Sequence, residues 1–188
     1  MRRTLCSSFL VLTVFCSRND RRESDVQLAR RDFVGGRISA LVPSSFREST
    51  AELVGGSEFV GSTPATVLSS EDRAIQIEIV VVGRSASKPT PEFKAPHDQL
   101  LRLIGDGIRN GIPAIELLRD EVVTDDGRPR LVLDFHQVRG GIKTRQLMAM
   151  TIGEDEATLL LGFSCRAADE QTWLPIGQRI IDSVQTSG

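Results

Sequence analysis

Four extended runs follow one another between Ile112 and Arg166, and the turn signals between them leave little choice of topology. The runs are Ile112–Thr124, Arg128–Arg139, Ile142–Ile152 and Ala157–Arg166, joined by Asp126-Gly127, Gly140-Gly141 and the turn from Gly153 to Glu156. Short connectors containing Gly suit the positive φ angles of a tight hairpin. Consecutive strands are therefore hairpin neighbours in an antiparallel meander. A parallel βαβ sheet is excluded, because each parallel crossover needs a helix-sized connection, and the chain has only two helical intervals.

The rest of the chain extends this pattern. Val26–Val34 and Arg37–Val42 flank Gly35-Gly36, and Pro43, which has no ladder donor, ends the second of these runs. Ser44–Ser62 is polar, contains Gly55-Gly56 and reads as a long loop, a place where function can reside. Ala65–Leu68 and Ala74–Val82 are further strands, the latter setting Ile75, Ile77, Ile79 and Val81 on one face. Gly83–Pro96 holds three prolines and reads as a surface connection.

The period changes at His97–Asn110, where Leu100, Leu101, Ile104 and Ile108 form one helical stripe between Pro96 and Gly111. Trp173, Ile176, Ile180, Ile181 and Val184 form a second stripe, with Thr172 as its cap, Pro175 in its first turn and the helix as the final element. The class is α+β: an antiparallel sheet of about six to eight strands, largely a meander, with two main helices packed on it.

The first residues read as an address. Arg2 and Arg3 precede an uncharged run, Leu5–Phe15, about half the length of a membrane-spanning helix. Residues 1–16 are expected to be a signal peptide, 17–25 a polar linker and 26–188 one domain. Cys16 stands where a lipoprotein signal places its acylated cysteine. Phe15 occupies a position where that signal wants a small residue, which favours ordinary cleavage near Cys16 or Ser17 over lipidation. Membrane contact is expected only through such an anchor, and the location is the periplasm or cell envelope.

Charge excludes one class of partner. The chain carries 23 Lys and Arg against 25 Asp and Glu, and loss of residues 1–16 removes two arginines and no acid. A mildly acidic domain lacks the clustered cations that bind phosphate backbones, so no nucleic acid is expected. With Cys6 and Cys16 in the signal, Cys165 has no intramolecular partner and reads as a small buried residue.

Chemistry-bearing motifs are sparse. Asp134 and His136 share a strand face, and an Asp-His pair can orient a general base. No Ser or Cys in a nucleophile-elbow context completes a triad, so a structural polar pair is the preferred reading. No metal-ligand spacing occurs, and Asp125-Asp126-Gly127 reads as a hairpin tip. Gly105-Asp106-Gly107 lacks the strand and the Lys-Ser/Thr of a phosphate loop and marks close helix packing. Glu154–Glu156, Asp169 and Glu170 read as solvated turn charges. No cofactor, metal or catalytic residue is expected. Phe46 and Phe59, among eight Phe and one Trp, stand in the longest polar stretch. Each either closes the core beneath that loop or anchors a partner.

The order of features resembles one family. Arg37-Ile38-Ser39-Ala40-Leu41-Val42-Pro43, a Ser/Phe loop, a helix, Gly111-Ile112-Pro113-Ala114 opening a strand, three hairpin strands and a helix ending Ile180-Ile181-Asp182-Ser183-Val184 resemble the PsbP/Mog superfamily. Within it the chain is similar in type to bacterial DcrB-like exported or lipid-anchored proteins. The resemblance covers Val26 to Val184. It implies an antiparallel sheet sandwiched by helices and used for binding or assembly, as in a photosystem extrinsic subunit, a small-GTPase binder and chaperones for secreted toxins. The expected function is a non-catalytic, exported protein-binding module, one form being an inhibitor or immunity protein of a secreted toxin. The alternative is a small exported hydrolase using Asp134 and His136.

Overall fold

The computed structural model describes residues 26–49, 66–72, 74–82, 96–112, 115–125, 127–139, 141–153 and 157–186. Along them run β1 (Leu28–Phe33), β2 (Ile38–Pro43), β3 (Arg47–Ser49), β4 (Thr66–Ser69), β5 (Ile75–Val82) and α1 (His97–Gly111). They are followed by β6 (Glu116–Asp125), β7 (Arg128–Arg139), β8 (Ile142–Ile152), β9 (Thr158–Arg166), α2 (Glu170–Asp182) and β10 (Gln185–Thr186). Gly127 and Gly141 hold the turns of the two central hairpins at φ of +77° and +80°, a region closed to most residues by their Cβ. The meander β6-β7-β8-β9 follows, every pair antiparallel.

The large sheet has seven strands in the order β3-β4-β5-β9-β8-β7-β6, and β1-β2-β10 form a separate sheet of three. The α+β class and the antiparallel meander are as expected. The division into two sheets is not legible in the strand periodicities, because it depends on which long-range partner β2 takes. That partner is β10, so the chain does not end in the helix. Ser183 sets this junction: its hydroxyl accepts from the Leu41 N–H at 2.7 Å and donates to the Ile180 carbonyl at 2.7 Å. β3 is a second strand that the periodicity does not show. It lies inside the expected loop, and its Arg-Glu-Ser sequence has no apolar alternation; the ladder to β4 alone holds it.

Alternation along β7 separates two cores. Leu131, Leu133 and Phe135, together with Met148 and Met150, pack against Leu101 and Ile108 of α1. Val132 faces the other way, where Leu147, Leu161 and Phe163 meet Ile176 and Ile180 of α2 and Ile38 of the small sheet. Each helix approaches the sheet through a glycine. A Cβ on Gly105 would lie 3.2 Å from Cδ2 of Leu131, and one on Gly177 would lie 2.5 Å from the Phe163 ring. The α1 stripe is therefore shifted from the one expected: Leu101, Gly105 and Ile108 are buried, while Leu100 stands at the rim.

α2 also starts earlier than expected. A 3-10 turn at Ala167–Asp169 leads into it and Asp169 is its N-cap, so Pro175 falls inside the helix. The apolar stripe itself is as read, with Ile176, Ile180 and Ile181 buried.

Candidate functional site

A polar row crosses the α2 side of the large sheet. Register places Glu116 of β6 beside His136 of β7, His136 beside Arg145 of β8, and Arg145 beside Cys165 of β9. Antiparallel partners share a face, so the four side chains line up at one end of the sheet. The first turn of α2 brings Glu170 over them.

Arg145 grips Asp134 with both arms of its guanidinium: Nε donates to Oδ1 at 2.6 Å and one terminal nitrogen donates to Oδ2 at 2.7 Å. Both side chains are largely buried, at 14% and 12% exposure, and this forked geometry is the stronger form of ion pair. The ring of His136 lies between two carboxylates, with Nδ1 3.2 Å from Glu116 Oε2 and Nε2 3.0 Å from Glu170 Oε2. Lys143 Nζ donates to the same Glu116 oxygen at 2.8 Å. With both ring N–H groups present, His136 serves both carboxylates; a neutral ring can donate to only one.

These contacts set the titration of the acids. The hydrogen bond from His136 holds Glu170 below its ordinary value, and the one from Lys143, then that from His136, does the same for Glu116. Cys165 is displaced the other way. Burial first, then the negative charges of Glu170 and Asp169, push its thiol up to about 12, far from the thiolate a nucleophile needs.

The structure thus gives Asp134 to Arg145, and the hydrogen bonds of His136 run to Glu116 and Glu170. The assembly clamps β6, β7, β8 and α2 together. Glu170 was expected to be a solvated turn charge; it instead touches the imidazole, because the early start of α2 carries it back over β7. Glu116, Lys143 and Arg145 were also missed by sequence reasoning. The one available signal was the hairpin register, which sets Arg145 opposite His136 once Gly140-Gly141 is taken as the turn.

Of the two roles open to Phe46, the structure shows core packing. It is 2% exposed, and its ring centroid lies 5.8 Å from that of Trp173 in a tilted arrangement. Phe59 and Cys16 lie outside the described residues. Gly162, opposite Glu78 and Met148, lies in a shallow depression on the other face of the sheet that Gln146, Leu160 and Ser164 also line. Among the described residues no three His, Cys, Asp or Glu side chains gather to hold a metal ion, and no helix is long and apolar enough to cross a membrane.

No family profile and no curated protein matches the sequence. Solved structures do match in shape. Cyanobacterial PsbP (CyanoP) from Synechocystis sp. PCC 6803 aligns over 86% of this chain and 94% of its own, at 14% identity and a TM-score of 0.58. LpqN, involved in cell envelope biogenesis of Mycobacterium tuberculosis, covers 87% of this chain and 92% of its own at 10% identity and a TM-score of 0.57. The Saccharomyces cerevisiae Ran-binding protein Mog1p covers 86% and 96% at 11% identity and a TM-score of 0.52. Sequence identities this low carry architecture and not activity: with a seven-stranded antiparallel sheet, a second small sheet and two helices among its described residues, the chain has the PsbP/Mog fold.

Proposed function

We propose that this chain is a non-catalytic binding module exported to the periplasm or cell envelope, with residues 1–16 as its signal and a protein as its partner. One observation carries the reading. The two residues best suited to acid/base work are engaged in a structural clamp, Asp134 on Arg145 and His136 between Glu116 and Glu170. Two neighbours in fold support it: LpqN is tied to cell envelope biogenesis and Mog1p binds Ran. An inhibitor or immunity protein of a secreted toxin is one specific form, since such a protein works by covering a surface and needs no reactive group.

The test is crosslinking of the full chain in its host envelope, followed by binding of the captured protein in purified form. A discrete partner is expected, and His136→Asn should retain its binding within about threefold, as for a polar change away from an interface. A general base contributes about 10²- to 10⁴-fold in rate. A hydrolytic activity that collapses on that scale in folded His136→Asn protein would overturn the proposal.

A further inference from the structure

Among the described residues, the β7–β8 hairpin outruns its neighbours. β6 pairs with β7 no further than His136, and β9 pairs with β8 no further than Thr144. Among the described residues, 137–139 and 141–143 are therefore flanked by no other strand. Six large apolar side chains are exposed among the described residues, and four of them gather at this end of the sheet. Val138 is 56% and Ile142 53% exposed on the tip itself, and Leu118 and Leu117 stand beside it at the start of β6. Large apolar side chains left exposed at the end of a projecting hairpin suit it to contact an apolar medium.

Geometry and charge narrow the kind of contact. Val138 lies on the face of His136, whereas Ile142, out of phase with Arg145, lies on the opposite face. A flat protein surface can cover one face of a hairpin at a time. A lipid interface surrounds a projecting tip and takes up both faces together. Arg139 and Lys143 belong to this tip by sequence, and no acid occurs from Gln137 to Gly153; Arg145, further in, is already neutralised by Asp134. The acid that touches the tip is Glu116, which shares its oxygen with Lys143 at the tip's base.

We propose that the β7–β8 tip inserts into an anionic lipid surface, with Val138 and Ile142 at the boundary between headgroups and acyl chains and Lys143 at the phosphates. The proposal rests on the envelope location argued above. It requires neither a lipid on Cys16 nor a membrane-spanning helix, and it is independent of which protein the module binds.

The experiment is cosedimentation of the processed chain, residues 17–188, which carries neither the apolar run Leu5–Phe15 nor Cys16, with two kinds of vesicle. One is phosphatidylcholine alone; in the other, one lipid in three is phosphatidylglycerol. Partitioning should favour the anionic vesicles and fall as salt rises. Lys143→Gln should weaken it about fivefold, and Ile142→Asp or Val138→Asp about tenfold or more, with an unchanged unfolding midpoint. The two aspartate variants stand on opposite faces, so either one reports if the other does not fold. Equal partitioning into both vesicle types, no sedimentation with either, or undiminished binding of a folded aspartate variant would overturn the proposal. None of these results bears on capture of the protein partner, so the two readings fail separately.

Discussion

Gly177 and Phe163 are in contact face to face: the backbone of α2 rests on the aromatic ring of β9, and a single added carbon on Gly177 would lie 2.5 Å from two ring atoms. The glycine is what allows the helix to sit this low on the sheet. In an exposed helix Gly→Ala stabilises by up to about 1 kcal/mol. Here overpacking reverses the sign, and Gly177→Ala is expected to cost about 1–3 kcal/mol. Chemical denaturation measures it, and combining the change with Phe163→Leu should recover part of the loss. A stabilised Gly177→Ala protein would show that the helix can rise off the ring at no cost.

The Arg145–Asp134 fork predicts an asymmetry. Removing one partner leaves a largely buried charge, so Asp134→Ala is expected to lose about 3 kcal/mol. Replacing both, as Asp134→Leu with Arg145→Met, should restore most of that loss, since a packed apolar pair needs no desolvation of charge. A double mutant as unstable as the single one would mean that the pair also orders Glu170 and His136.

The clamp also sets a pH dependence. Glu170 and Glu116 titrate below their ordinary 4.5 in the folded protein, so the folded state binds protons less readily than the unfolded one. Their contribution is complete above the unfolded value and is lost as pH falls through the lower folded values. Thermal midpoints measured downward from pH 6 should therefore drop in the acid range. His136→Asn should make that drop shallower, because it removes the leading cause of the Glu170 displacement. An identical acid profile in the variant would detach the imidazole from the two acids.

Cys165 should be inert. A buried thiol with a pKa near 12 supplies almost no thiolate at pH 8, so alkylation of native protein is expected to be slower than that of the unfolded chain by more than about 100-fold. Rapid labelling at native pH would show that β9 opens locally beside the clamp.

Phe46 supplies a test of core packing. Truncation of a buried aromatic costs about 3–5 kcal/mol, so Phe46→Ala should lower the unfolding midpoint strongly and Trp173→Ala should follow it. Retained stability would return the residue to the partner surface.

The hairpins were legible before any coordinates because they rest on local rules. Gly127 and Gly141 stand where only a positive φ closes the turn, and the alternation of Leu131, Leu133 and Phe135 fixes which side of β7 is apolar. The helical stripe of Ile176, Ile180 and Ile181 was legible for the same reason, since period and propensity act over a few residues. What lay beyond the sequence was everything that depends on distant partners. β10 is a strand only because Ser183 docks on Leu41, and β3 only because β4 pairs with it. Glu170 meets His136 because α2 begins on a 3-10 turn after β9, and Arg145 selects Asp134 over solvent because the sheet buries both. These contacts join residues far apart in the chain, and their energies arise from burial and exclusion of water, which no local pattern encodes.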